Sequence, residues 1–241
     1  VGLVSQCDPD DEDEHFTHDL GPALCAHVRE LRMHWREARG PCWARYLAQQ
    51  LYGGERYHLQ IDSHTRFAPR WDAELLAELR ACPSKRPLLS TYPPGYKLSG
   101  GASMVPRVVR PMVMCASHFG EEGMLRIVGR EVSAAADVPL EGLFWAAGFS
   151  FSAADVIRDV PYDPSLKFLF FGEEHSMALR LFTHGYDTFA PSKTLVFHLW
   201  SRAHRPSFFT QVPDTHGLKA RALRVVKRQL GLAPGAVPTA H

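Results

Sequence analysis

The stretch RYHLQIDSH, residues 56–64, decides the fold of this chain, because it joins a strand pattern to two strong metal ligands. Its apolar residues, from Tyr57 to Ile61, alternate with polar ones at the two-residue period of a β-strand. Asp62 and His64 follow at positions i and i+2, which share one face of an extended chain. A carboxylate and an imidazole there suit a divalent cation. A strand-end aspartate also suits a turn, so both interpretations stay open.

Strand-like and helix-like segments alternate on both sides of this stretch. Strands are predicted at 1–6, 28–33 and 87–91, and helices at 41–53 and 71–82. The alternation predicts an α/β fold with a mostly parallel central sheet flanked by helices. Ligands of such sheets bind beyond the carboxyl ends of the strands, which is where Asp62 and His64 lie.

The second half of the chain is less regular. Strands are predicted at 105–115, 125–132, 146–151 and 194–199, and helices at 172–185 and 217–230. The last helix is basic and amphipathic, and a stretch rich in Pro, Gly and Ala follows it. We therefore expect one domain over residues 1–215, followed by a basic helix and a flexible tail over 216–241.

Composition bounds the classes of protein to which the chain can belong. Its 241 residues fit one large domain or two small ones. The net charge of +1 favours neither nucleic acid nor membrane as a partner, and no apolar run has the length of a transmembrane helix. The five cysteines are widely spaced without a C-x-x-C pair. This pattern predicts free thiols in a reducing compartment, and we expect a cytoplasmic location.

Two further groups of residues carry chemistry. Glu173 and Glu174 open a predicted helix, where paired acids either perform proton transfer or stabilise the helix dipole. His198 ends a late apolar strand, and by itself it is explained as well by burial as by metal binding. Trp200 follows it and offers an aromatic face that a sugar could stack on, although most aromatic residues pack in cores.

Several arginines lie near predicted anion-binding positions. Arg36, Arg39 and Arg45 surround the helix start at Pro41, and a helix N-terminus attracts anions. Arg202 lies in a loop-like segment and is a candidate contact for a diphosphate. A solvated basic surface explains each single arginine equally well.

Five segments occur in the order typical of glycosyltransferase family 60, and the chain resembles this family over nearly its whole length. Characterised members of the family attach GlcNAc to a hydroxyproline of a cytoplasmic ubiquitin-ligase adaptor. The chain is more distantly similar to the polypeptide GalNAc-transferases. The segments are Arg36-Glu37 with Arg45, Asp62-Ser63-His64, Ala147-Gly148-Phe149-Ser150, Phe170-Phe171-Gly172-Glu173-Glu174, and His198.

The resemblance implies a GT-A-type, Rossmann-like fold, a UDP-GlcNAc donor and a Mn²⁺ or Mg²⁺ ion. Asp62, His64 and His198 would bind the ion, which would bridge the two phosphates of the donor. Ligand type alone would also suit zinc. The family's fold has a further strand before the one that begins at Val1, so the first strand is expected to be missing from this sequence.

The resemblance also suggests roles for the remaining candidates. Glu173 and Glu174 are predicted to lie at the catalytic site, with Glu173 binding acceptor or sugar hydroxyls, because the family retains anomeric configuration and the departing phosphate is thought to act as base. Donor binding is predicted for Arg36, Arg39, Arg45, Asp62, Trp200 and Arg202.

The sequence therefore predicts a metal-dependent, retaining transferase that moves a sugar from a UDP-sugar to a hydroxyl of a protein or peptide. Two alternatives remain open at this point. One is an inactive remnant that binds nucleotide or glycan. The other is a metal-dependent hydrolase in which Asp62, His64 and His198 surround an activated water.

Overall fold

The structure is a computed structural model that describes residues 1–8, 10, 20–100, 102–106, 110–133, 136–201 and 207–232. The chain divides into two compact units, and each is described by itself. The first comprises Val1–Glu55, Pro161–Glu173 and Pro206–His241. The second comprises Arg56–Val160 and Glu174–Arg205. Arg202 and the predicted tail beyond residue 232 lie outside the described residues.

The first unit is built on a parallel pair of strands, β1 and β2, which pair from Gly2 opposite Arg29 to Cys7 opposite His34. Its described elements are β1 (Gly2–Cys7), α1 (Pro22–Cys25), β2 (Arg29–His34), a 3-10 turn (Trp35–Glu37), α2 (Pro41–Gln49), α6 (Phe208–Gln211) and α7 (Leu218–Gln229). The predicted basic helix is thus confirmed as α7, whose Ala222 and Val226 are buried.

Helix α2 begins where the chain makes a close contact that requires glycine. Gly40 has a φ of +94°, and a Cβ there would lie 3.1 Å from the backbone nitrogen of Phe168. The Phe168 N–H donates to the Arg39 carbonyl at 2.7 Å. Pro41 then occupies the first turn, where its missing N–H costs nothing.

The second unit contains a five-stranded sheet in the order β10-β12-β5-β11-β3. Its strands are β3 (Tyr57–Ile61), β4 (Thr65–Phe67), β5 (Pro87–Ser90), β6 (Lys97–Ser99), β7 (Ala102–Met104), β8 (Met112–Phe119), β9 (Leu125–Glu131), β10 (Leu140–Gly142), β11 (Phe149–Ala153), β12 (Asp187–Ala190) and β13 (Val196–His198). Its helices are α3 (Trp71–Ala81), α4 (Asp155–Asp159) and α5 (Glu173–Thr183), whose first residue belongs to the first unit.

The α/β class is confirmed. The prediction of a mostly parallel sheet is wrong, because most neighbouring strands of this sheet run antiparallel. Within the described part of this sheet, β12 and β5 are parallel, whereas β10–β12, β5–β11 and β11–β3 are antiparallel. The β3–α3–β5 connection does run its two strands in one direction, as the alternation predicted. The later strand β11 inserts between them and runs opposite to both, so neither parallel strand has the other as its neighbour.

The apolar face of this sheet packs against α3. Leu75, Leu79, Leu89, Phe149 and Phe151 are buried in one cluster, and apolar residues of β3 pack against its edge. Among the described residues, no helix is both long and apolar enough to cross a bilayer.

The predicted strands 105–115 and 125–132 are found as the antiparallel pair β8–β9, but the first begins at Met112 rather than at residue 105. Pro106 and Pro111 lie in the skipped stretch, and proline has no N–H to donate to a strand ladder. Residues 107–109 lie outside the described part of the chain.

Candidate functional site

Asp62 lies directly after β3, at the carboxyl end of that strand. Its backbone N–H donates to the Gly148 carbonyl at 3.3 Å, and its own carbonyl accepts from the Thr65 hydroxyl at 2.7 Å. A Cβ placed on Gly148 would lie 3.2 Å from Asp62 Oδ2. The carboxylate is therefore positioned by backbone contacts and by the absence of a side chain at residue 148.

Two histidines converge on the same carboxylate oxygen. His198 ends β13, which pairs antiparallel with β4 so that His198 lies opposite Thr65. The Leu199 N–H donates to the His64 carbonyl at 3.2 Å, which joins the two histidine segments. Nε2 of His198 lies 3.2 Å from Asp62 Oδ2, and Nε2 of His64 lies 3.9 Å from it.

The geometry of Asp62, His64 and His198, here called the triad, fits a divalent cation. One ligand atom from each residue can be chosen so that all three lie within 4.8 Å of one another. Bonds of about 2.1 Å place the ligands of one ion about 3 to 4.2 Å apart, so small side-chain rotations suffice. The oxygen and nitrogen donors suit Mn²⁺, Mg²⁺ or zinc. Nδ1 of His198 is buried, with no hydrogen-bond partner among the described residues.

Aromatic residues lie beside the triad. The Trp200 indole lies 4.2 Å from the His198 ring, and its Nε1–H donates to the Pro93 carbonyl at 3.1 Å. Tyr92 meets Trp200 edge to face, with 5.6 Å between ring centroids. A Cβ on Gly95 would lie 3.1 Å from the indole. Trp200 is 50% exposed, so it is fixed in place and still presents surface to a ligand.

The two predicted catalytic glutamates have different environments. Glu173 is buried in the first unit, where Oε1 accepts from Arg45 at 2.6 Å and from the Tyr162 hydroxyl at 2.8 Å. Burial, together with this carboxylate, raises the pKa of the Cys42 thiol. Glu174 belongs to the second unit, where Oε1 accepts from the Ala147 N–H at 2.9 Å and Oε2 accepts from the Tyr92 hydroxyl.

Three of the predicted donor-binding arginines, Arg36, Arg39 and Arg45, lie in the first unit. The Arg45 guanidinium is mostly buried in its ion pair with Glu173. Arg39 donates to the carbonyls of Arg36 and Ala38, at 3.1 and 2.8 Å. The Arg36 guanidinium lies over the Trp35 ring, 4.5 Å from its centroid. Their predicted role in donor binding stays a prediction, as does that of Arg202.

Sequence reasoning missed the role of Tyr92. The segment Tyr92-Pro93-Pro94-Gly95 reads as a turn, and the one available signal was an aromatic residue directly before a rigid Pro-Pro-Gly sequence. The aromatic residues Trp145 and Phe149, which adjoin the Gly148 segment in sequence, are buried core residues.

Comparison with known proteins agrees with this architecture. A family model described as "Glycosyltransferase (GlcNAc)" matches residues 4–234. The crystal structure of GalNAc-T7 with UDP, GalNAc and Mn²⁺ is similar, with a TM-score of 0.59 and 16% identity over 88% of this chain. The chain spans 40% of the length of that protein chain. This likeness establishes a GT-A-type fold. No curated protein matches the sequence.

Proposed function

The chain belongs to the GlcNAc glycosyltransferase family, and from this premise we propose that it transfers a sugar from a UDP-sugar to a hydroxyl group of a protein or peptide. We propose GlcNAc as the sugar, with a hydroxyproline side chain as one candidate acceptor. The family and the resemblance of the five sequence segments support the donor, and the solved GalNAc-T7 complex, which contains UDP and Mn²⁺, supports the nucleotide and the metal.

The proposal rests mainly on one observation, the convergence of the three side chains of the triad. Asp62 and His198 are 136 residues apart in sequence, yet a carboxylate oxygen of one lies 3.2 Å from an imidazole nitrogen of the other. His64 contributes a second imidazole to the same place. Such convergence at the carboxyl end of a strand is the arrangement by which α/β enzymes hold ligands.

Each residue has a separate task in the proposed reaction. The triad would hold Mn²⁺ or Mg²⁺, and the bound ion would offset charge on the departing diphosphate. Trp200 offers an exposed aromatic face beside His198 on which a sugar can stack.

The proposed transfer retains anomeric configuration. Glu173 and Glu174 already accept hydrogen bonds from protein donors. Both carboxylates are thus committed to contacts within the protein, which favours a mechanism in which the departing phosphate takes the proton from the acceptor hydroxyl.

Calorimetric titration of UDP in the presence of Mn²⁺ tests the proposal. We expect micromolar binding that is lost with a chelator and lost in His198→Ala, because one ligand of the ion is then missing. His118→Ala, which changes an exposed histidine of β8, serves as the matched control and should bind like the parent protein. Absence of UDP binding in every condition would contradict the proposal and favour an inactive remnant.

Turnover assays then separate the remaining possibilities. Slow release of UDP from UDP-GlcNAc, faster than from UDP-GalNAc, is expected from a GlcNAc-transferase that lacks its acceptor. Metal-dependent cleavage of phosphate esters or amides without nucleotide binding would instead favour the hydrolase.

A further inference from the structure

Glu174 connects two separate segments of the second unit. From the first turn of α5, its Oε1 accepts from the Ala147 N–H at 2.9 Å, and its Oε2 accepts from the Tyr92 hydroxyl. Ala147 lies two residues before β11, and Tyr92 lies two residues after β5. One carboxylate therefore joins two loops that approach the triad from different strands.

The Ala147 segment positions Asp62. The carbonyl of Ala147 accepts from the Gln60 side chain at 2.7 Å, and the next carbonyl, that of Gly148, accepts from the Asp62 N–H at 3.3 Å. The Gly148 backbone also contacts the Asp62 carboxylate closely enough that an added Cβ would crowd it. A shift of this loop would therefore move Asp62 with it.

The Tyr92 segment positions His198. Tyr92 contacts the edge of Trp200, and the Trp200 ring packs against the His198 ring with 4.2 Å between centroids. The His198 N–H donates to the Pro94 carbonyl at 3.1 Å, two residues beyond Tyr92. The Tyr92 loop thus contacts His198 directly through the Pro94 carbonyl, and Tyr92 itself contacts the Trp200 ring that packs on His198.

We propose that Glu174 is a positioning residue, which fixes the spacing between Asp62 and His198 and acts neither as a base nor as a ligand of the donor. This inference rests on the proposed function, since it assumes that the triad binds a metal ion. Both carboxylate oxygens already accept hydrogen bonds, one from a backbone N–H and one from a phenol. A carboxylate that acted as base would have to weaken these contacts on gaining a proton.

Two substitutions separate positioning from proton transfer. In Glu174→Gln the amide oxygen still accepts from the Ala147 N–H, and the amide NH₂ donates to the Tyr92 hydroxyl oxygen, which can accept as well as donate. Both loops stay connected although the base is lost. Glu174→Ala removes both connections.

The readout is Mn²⁺ affinity, measured by the loss of the free-ion signal in electron paramagnetic resonance. We expect Glu174→Gln to bind Mn²⁺ about as tightly as the parent protein and Glu174→Ala to bind about tenfold more weakly. Glu78→Ala is the matched control, because Glu78 also accepts from one backbone N–H and one hydroxyl, both of Ser192. It should keep the parent affinity.

A second readout needs no metal. Near-ultraviolet circular dichroism of the metal-free protein reports the Tyr92–Trp200 contact, and Trp200→Phe identifies the contribution of that indole. We expect Glu174→Ala to lose the Trp200 contribution and Glu174→Gln to keep it.

The results separate the positioning role of Glu174 from the proposed function of the protein. Parent-like Mn²⁺ affinity in Glu174→Ala, or equal losses in Glu174→Gln and Glu174→Ala, would overturn the positioning role while leaving the proposed function intact. Failure of the parent protein itself to bind Mn²⁺ would overturn the proposed function and the positioning role with it.

Discussion

Gly148 is the residue whose missing side chain leaves room for the Asp62 carboxylate. A Cβ at this position would lie 3.2 Å from Asp62 Oδ2 and 4.0 Å from the His198 ring. The contact with the carboxylate is tighter than an ordinary van der Waals contact, so the carboxylate must rotate if a methyl group is added.

We therefore expect Gly148→Ala to weaken Mn²⁺ binding about tenfold, because Asp62 is displaced from the histidines. Gly142→Ala is the matched control, since its Cβ would meet its first neighbour at 4.0 Å. Isothermal titration with Mn²⁺ measures both variants. Equal affinities in the two would show that the Asp62 carboxylate does not need its present position.

His58 has the next informative environment, on β3 opposite Ser152. Burial lowers the pKa of its imidazole to about 4, below the usual histidine value of about 6.5. Between these values the unfolded chain binds a proton that the folded protein does not. The stabilising contribution of neutral His58 is therefore complete above about pH 6.5 and is lost as the pH falls towards 4.

The corresponding prediction is that His58→Gln reduces the loss of stability on acidification. Between pH 7 and pH 5 the parent should lose up to about 2 kcal/mol more than the variant, as judged from urea unfolding. His118→Gln removes an exposed histidine of the same unit and should behave like the parent. An identical pH dependence in parent and His58→Gln would show that His58 ionises freely in the folded protein.

At the scale of elements, α2 is joined to the end of the segment Pro161–Glu173 by a buried ion pair. Arg45 of α2 donates to Glu173 at 2.6 Å, and the side chains are 18% and 4% exposed. The Tyr162 hydroxyl donates to the same oxygen. Removing the arginine would leave a buried carboxylate without its counter-charge, which is far costlier than losing an exposed pair.

We expect Arg45→Ala to lower the free energy of unfolding by about 3 kcal/mol, and Arg36→Ala, which removes an exposed side chain, to change it by less than about 0.5 kcal/mol. Urea unfolding followed by circular dichroism measures both. A change in Arg45→Ala no larger than that in Arg36→Ala would contradict a stabilising role for the ion pair. Titration of folded Arg45→Ala with UDP tests its predicted donor contact separately.

The strands and helices also show which features of the structure could be predicted from the sequence. The alternation around residues 56–64 was enough to place Asp62 at a strand end, because a two-residue period directly reports a half-buried strand. The direction of β11 was not predictable. The residues of a strand do not indicate between which two earlier strands it will lie, and β11 lies between β3 and β5. The contact of Glu174 with Tyr92 crosses 82 residues, and hydrogen bonds of that separation leave no periodic trace.

At the scale of the whole molecule, both units contain cysteines whose accessibility to a reagent can be measured. Cys42 is buried in the first unit, and Cys82 is buried in the second. Burial, with the neighbouring Glu78, raises the pKa of Cys82 to about 12, which leaves almost no reactive thiolate at neutral pH.

We therefore expect a thiol reagent to label at most three cysteines of the native protein and all five in urea. Mass spectrometry of peptides containing Cys42 and Cys82 follows each unit separately as urea is raised. Coincident exposure of the two would show that the units unfold together, and separate midpoints would show that they unfold independently. Rapid labelling of either thiol in the native protein would contradict its burial.

The interleaving of the two units along the chain has a consequence for inheritance. The first unit is assembled from three stretches and the second from two, and the passage at Glu173 and Glu174 falls between consecutive codons. No single continuous piece of coding sequence specifies either unit. A recombination event with one crossover therefore cannot exchange one unit intact for another.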